Sequence, residues 1–501
     1  MFKPKNNNNS QSELKQQSES NKQQQTEKQN NFEKKQLQKA KINKKQKNES
    51  IKSNSNQINE DLAFLESLIK NNKELEKKSN TVIVLEKKSD ENQNILGPAY
   101  SEGIKLVKNR FQDNSAIRLL GNWQEGQTQQ TQPPTIRIDE QFPENEYPIG
   151  EIQNYQKDQA FRTSSAELKE KDKLMDSQVN QFIKNIKQII LNQNKDQMLK
   201  KSCRMSQLIR PGKKLIDICE SIEEMSRFLV RENGLDAGIA FPTGCSLNNI
   251  AAHYSPNNGD ITTIEYDDVC KIDIGVQVEG RIIDSAFTVA FNPKYDKLLE
   301  AVKESTNVGI KEAGIDVRIP DIGAAIQEVM ESYEVEIDGK IYPVKPIRNL
   351  CGHSIEYYRI HGNKSIPCIK SGPNVKMEEG EQYAIETFGV INGKGIVYED
   401  GECSHYMKDF EKTSVPIRQP KAKALLKFID QNFDTLAFCR RWLDRGGQNG
   451  HIISLKQLCN AGIINAIPPL VDIRGSYVAQ YEHTLILKPS HKEVISRGDD
   501  F

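Results

Sequence analysis

The segment KIDIGVQVEGRIIDSAF, residues 271–287, constrains this chain more than any other stretch. Apolar residues alternate on both sides of Glu279-Gly280, a pair that suits a two-residue turn because glycine accepts a positive φ cheaply. Such a turn predicts a hairpin in which Val278 faces Arg281. In that register Ile272, Ile274, Val276 and Val278 share an apolar face with Ile283 and Phe287. Asp273 and Asp284 project together from the other face, as diagonal neighbours. Two carboxylates this close repel each other unless a cation lies between them. The hairpin alone leaves two readings: part of a metal site, or a half-solvated hairpin with two surface acids.

Three more candidate ligands follow. They are His353 in GHS, Glu386 in the strand-like AIETFG and Glu482 in AQYEHT. Four carboxylates and one imidazole on rigid elements can hold two divalent cations about 3.5–4 Å apart, which share and activate one water. That chemistry is hydrolysis.

The 501 residues allow two or three domains. Lys+Arg and Asp+Glu are equal at 69 each, which argues against one extreme charged surface. The nine cysteines are scattered without a C-x-x-C pair, which suits reduced thiols in a cytoplasmic protein rather than a disulfide framework or zinc ribbon. Cys351, close to His353, reads as a small buried residue. No apolar run is long enough to span a bilayer, so no membrane contact is expected. MFKPKNNNNS lacks the apolar core of a signal peptide.

Composition changes along the chain. Residues 1–115, rich in Asn, Gln, Lys, Ser and Glu, cannot bury enough apolar surface to offset chain entropy and are expected to be disordered. Within them Lys34, Lys35, Lys39, Lys41, Lys44, Lys45 and Lys47 form a basic cluster. Ile58, Leu62, Leu65 and Ile69 then recur at helical spacing, as a partner-docking helix or as a marginal one. Residues 116–160 are an extended approach punctuated by proline. A helix start is expected at Ser164, with Glu167 in capping-box spacing, and helical patterning runs to about 233, broken at Pro211-Gly212. Strands are expected over 237–290, helices over 294–313 and 320–333, and strands near 335–347, 383–398 and 478–488. Residues 420–473 form a polar helical excursion between the strands carrying Glu386 and Glu482.

FPTGCSLNNIAAHY, KIDIG, GRIIDSAFTVAFNPKYD, KPIRNLCGHSIEYYRIH, MEEGEQYAIETFG, CSHYMK, TLAFCRRWLDR, QYEHTLILKP and SRGDDF occur in order with ordinary spacing. Over roughly residues 130–501 the chain resembles the type 2 methionine aminopeptidases. The resemblance implies an α+β pita-bread fold, two pseudo-related halves around a curved antiparallel sheet. It makes 116–501 the catalytic domain and 420–473 a helical, winged-helix-like insertion. It also implies two metals: Asp273 binding one, Asp284 and Glu482 bridging, and His353 and Glu386 completing the ligands of the second metal. Mostly oxygen ligands suit Mn, Fe or Co better than a thiolate zinc site, with Zn still open.

By the same resemblance Glu386 shuttles a proton, and His253 and His361 contact substrate. Phe241, Ile360, Phe388, His405 and Ala437 would line the pocket for the methionine side chain. Ile467 departs from the aromatic that relatives often carry. The implied activity is removal of the initiator methionine from nascent polypeptide N-termini when the second residue is small, by a cytoplasmic monomer. A proline-directed aminopeptidase or dipeptidase, and a non-catalytic binding protein, are alternatives on the same fold. The AAHY, YRIH and CSHYMK blocks argue against the first, and retention of all five ligands against the second. The Lys34–Lys47 cluster is either a contact to ribosomal RNA or a translation factor, or a solvated tail.

Overall fold

The computed structural model describes residues 118–119, 131–132, 137–138, 149–175, 209–412 and 416–497. The extension at 1–115, with its lysine cluster and its 58–69 pattern, lies outside the described residues, as does 176–208.

Strand β1 is Glu151–Asn154. A helix at 166–175 follows, and its cap is one residue later than expected: the Leu168 N–H donates to Ser165 Oγ, whereas the Ser164 hydroxyl turns back onto the Phe161 carbonyl. Helix α1, Leu215–Leu229, begins just after Gly212, whose φ is +84°. Its Leu215, Ile218, Cys219, Ile222, Met225 and Leu229 recur at helical spacing and are buried, several of them against β2, Ala237–Leu247. Then come β3, Ile250–Ala252, β4, Val269–Val278, and β5, Arg281–Ala290. Helices α2, Asp296–Glu312, and α3, Ile319–Glu331, match the expected pair. Pro320 sits in the first turn of α3, where a missing N–H costs nothing. Strands β6, Cys351–Ile355, β7, Ser365–Pro367, and β8, Gln382–Ile391, follow.

Strand β9, His405–Lys408, leads to the excursion: α4, Pro420–Asn432, β10, Phe438–Cys439, α5, Arg440–Arg445, α6, His451–Asn460, and β11, Ile464–Ile467. The chain returns through β12, Tyr477–Leu487, and β13, His491–Val494.

Among the described residues the central sheet is antiparallel and runs β7-β6-β8-β12-β5-β4-β2, with β13 added to β12 and β1 to β13. Helices α2 and α3 cover the β8 and β12 half and α1 the β2 half. Ile326, Ile385 and their neighbours fill the space beneath α2 and α3, each fully buried side chain of this size contributing about 1.5–3 kcal/mol. This is the α+β pita-bread arrangement. The hairpin register is the expected one, with Val278 opposite Arg281, but both of its faces are buried. The half-solvated reading therefore fails. Glu279 as well as Gly280 takes a positive φ, +47° and +80°. A Cβ on Gly280 would strike the Tyr358 ring at 2.3 Å.

The excursion is less polar inside than its sequence suggests. Leu425, Ile429, Phe438, Trp442, Leu443, Leu455 and Leu458 form a core of their own. Its sheet is β10-β9-β11, so the central strand comes from the chain before the excursion and ties it to the body.

Candidate metal centre and substrate cleft

One row of the sheet carries three of the acids. Asp273 pairs with Ala286, Ala286 with Glu482, and Glu482 with Glu386. Asp284 lies two residues from Ala286 and so shares its face; His353 pairs with Ala384, two residues from Glu386, and shares it too. All five candidates therefore point from one face of β4, β5, β6, β8 and β12, at the seam between the two halves. Close packing across this seam leaves no room for larger neighbours. A Cβ on Gly244 would stand 2.9 Å from Asp273 Cβ, and one on Gly275 would lie 2.0 Å from the Phe241 ring.

Ligand atoms of Asp284, His353 and Glu482, all buried, lie within 4.8 Å of one another. Asp273 and Glu386 are half-buried and mark the side open to the cleft. His353 Nε2 is 3.7 Å from both Asp284 Oδ2 and Glu386 Oε1. Its Nδ1 lies 3.3 Å from the Ser354 carbonyl, which can only accept, so Nδ1 carries the proton and Nε2 presents its lone pair to the acids.

Asp273 Oδ1, Asp284 Oδ1 and Glu482 Oε1 are buried without a hydrogen-bond partner. Burial pushes the Asp273 carboxyl up to about 6. Burial, then repulsion from the neighbouring acids, holds Asp284, Glu386 and Glu482 well above the usual range. Burial drives the His353 imidazole well below its own. Four mutually repelling carboxylates, three with orphaned buried oxygens, and an unprotonated imidazole nitrogen fit divalent cations.

His253, at φ +64°, directly follows β3, and its Nδ1 is buried without a partner. Its ring centroid is 6.1 Å from that of His405. Burial lowers His253 to about 3 and His405 to about 4, so both are neutral at physiological pH. His361 is exposed to the cleft and sets its ring edge-on to His353 at 4.5 Å. Phe241 and Ile360 pack together with Ala384 and Leu436, and Ala437 is buried beside Leu436. Phe388 is on the face of Glu386, opposite Gln480. Ile467 pairs with His405. Cys351, half-buried and pushed up to about 11 by burial, is an inert thiol outside the ligand cluster. The eight cysteines among the described residues are all free.

The sequence reading missed Gln480. Its Nε2 lies 3.2 Å from Glu386 Oε2, 3.4 Å from Asp273 Oδ2 and 3.5 Å from Glu482 Oε2. The signal was present, since Gln480 is two residues from Glu482 and shares its strand face.

Residues 193–406 match metallopeptidase family M24. Methionine aminopeptidase 2A of Arabidopsis thaliana is 54% identical over 373 residues, 74% of this chain and 82% of that protein. Methionine aminopeptidase 2 of Dictyostelium discoideum is 54% identical, over 74% of this chain and 83% of that one. This chain belongs to the type 2 methionine aminopeptidases. Methionine aminopeptidase 2 of Schizosaccharomyces pombe is 52% identical over 74% and 85%. The fold also matches a thermophilic Arx1 structure, with TM-score 0.50 at 18% identity over 66% of this chain and 91% of that one. As a member of its family the chain is a metallopeptidase that uses divalent metal and removes the initiator methionine from nascent polypeptide N-termini. No described helix is long and apolar enough to cross a membrane.

Proposed function

We propose that Asp273, Asp284, His353, Glu386 and Glu482 hold two divalent ions, Mn, Fe, Co or Zn, with Asp284 and Glu482 as the shared ligands. The observation that carries this is the convergence of all five on one sheet face with three orphaned buried oxygens. Such a pair, when bound, lowers the pKa of a water and polarises a carbonyl. The chain's own residues do the rest. His353, held through Nδ1, keeps its Nε2 aimed inward. Gln480 fixes the carboxylate orientations by donating toward three of them. Glu386, half-buried at the open side, carries a proton to the leaving amine. The neutral imidazoles of His253 and His361 face the substrate carbonyl region and stabilise the developing charge by hydrogen bonding. Phe241, Ile360, Phe388, His405 and Ala437 enclose the methionine side chain and exclude water from it.

Residues 116–501 form the catalytic domain in this reading, with 420–473 inserted in it, and the chain works in the cytoplasm as a monomer. Cleavage requires a small second residue in this reading. The Lys34–Lys47 cluster binds ribosomal RNA phosphates, and a translation factor is a second partner for the same extension. A panel of Met-Ala-Ser, Met-Leu-Ser and Xaa-Pro peptides with defined metals tests the assignment. Release of methionine from Met-Ala-Ser, abolished by chelation, is expected. Efficient cleavage of Xaa-Pro without Met-Ala-Ser would assign the site to the proline-directed enzymes instead.

A further inference from the structure

Glu223 on α1 and Arg441 on α5 are buried to 1% and 4% exposure, and they join the body of the protein to the excursion. The guanidinium grips both carboxylate oxygens, at 3.0 and 2.8 Å. Its remaining donors do not go to acids. Nε donates to the Pro256 carbonyl at 2.8 Å, and Nη2 donates to Ser255 Oγ at 2.8 Å. These two residues follow His253 closely in the chain and hold the loop that presents it.

The bonds continue in one direction only. The Ser255 N–H donates to Ser404 Oγ at 3.2 Å. Ser404 Oγ is 3.0 Å from His405 Nδ1, and His405 Nε2 is 3.3 Å from the Pro242 carbonyl. A carbonyl only accepts, so Nε2 bears the proton and Nδ1 accepts from the Ser404 hydroxyl. The Thr243 N–H, next to Pro242, donates to Glu223 Oε1 at 3.3 Å, which closes the ring of contacts. Thr243, Ser255, Ser404 and His405 are all buried, so water does not compete for these bonds.

We infer that Arg441, locked on Glu223, is a positioning residue for the substrate-facing histidines: through Ser255, Pro256 and Ser404 it fixes the ring orientation of His405 and the loop that carries His253. The excursion thus completes the cleft from behind, although it supplies none of the five metal ligands. This inference rests on the substrate-contact reading of His253 and His405.

The test uses the full chain. The seven histidines give a simple set of ¹⁵N–¹H ring correlations, recorded on protein loaded with diamagnetic Zn²⁺, with His405→Ala to assign the His405 signals. In Ser404→Ala, the His405 Nδ1 resonance should shift because its hydrogen-bond donor is lost, while Nε2 stays protonated against the Pro242 carbonyl. KM for Met-Ala-Ser should rise by about tenfold or more, because small displacements of a positioning group are amplified at the reacting centre. Metal content should be unchanged. Arg441→Met alone strands a buried carboxylate and risks the fold, so the paired Glu223→Met/Arg441→Leu variant is the second arm. It should fold, bind metal, and show the same rise in KM and the same shift of the His405 Nδ1 resonance. Wild-type His405 ring resonances and KM in both variants would overturn the inference. Wild-type kinetics in His253→Ala and His405→Ala would instead overturn the underlying substrate-contact reading, and the inference with it.

Discussion

Replacing Glu223 by Gln keeps the side-chain volume and removes one charge from a buried pair. Burial alone would push the Glu223 carboxyl up. The Arg441 charge and hydrogen bonds, then Arg227 and the Trp442 indole N–H at 2.7 Å, overcome that and hold it at about 2. From the ordinary 4.5 to about 2, at about 1.4 kcal/mol per pH unit, the pairing contributes about 3 kcal/mol of native stability at pH 7. An independent route agrees, since breaking one side of a buried ion pair costs about 3–5 kcal/mol. Because the folded pKa is depressed, this stability is fully present above pH 4.5 and is lost as pH falls toward 2. Glu223→Gln should therefore be about 3 kcal/mol less stable at pH 7, and the gap should narrow progressively as pH falls from about 4.5 toward 2. Urea unfolding of both proteins at matched metal concentration, across pH 3–8, measures it. A difference under about 1 kcal/mol at pH 7, or one that does not change with acid, would refute the reasoning.

Asp284→Asn should lose metal and turnover together; partners one shell further out typically cost 10–100-fold, so the loss should exceed about 100-fold, and retention of both would remove Asp284 from the ligand set. Gly275→Ala forces the Phe241 ring aside, so it should cost about 1–3 kcal/mol in urea unfolding and raise KM for methionyl peptides, whereas unchanged KM would take Phe241 out of the pocket wall. His253 should be the residue alkylated by fumagillin-class epoxides, at a rate flat from pH 6 to 8 because its imidazole titrates at about 3; peptide mapping that finds the adduct elsewhere refutes this. Deleting residues 1–115 should spare peptide turnover and weaken ribosome co-sedimentation in a strongly salt-dependent way, and equal binding by both forms would move any ribosome contact to the catalytic domain.

The hairpin was fully legible in the sequence, because period-two alternation and a two-residue turn fix the register, and the register fixes which side chains share a face. That placed Asp273 and Asp284 together from local information alone. The helices at 296–312 and 319–331 were legible for the same kind of reason, their apolar period. The cap at Ser165 was missed by one residue because adjacent serines offer the same hydroxyl, and only the path of the backbone chooses between them. Bringing Glu482 beside Glu386 and Ala286 required pairing strands about 100 and 200 residues apart in sequence. No local pattern specifies such pairing, and resemblance to a family stood in for it. Where resemblance offered no residue role, the sequence was silent. Glu223 and Arg441 look like ordinary surface charges in a helix and in CRRW, 218 residues apart. Their burial, and with it the ring of hydrogen bonds that reaches His405, exists only once α5 is packed against α1, because burial is a property of packed surfaces and not of any segment.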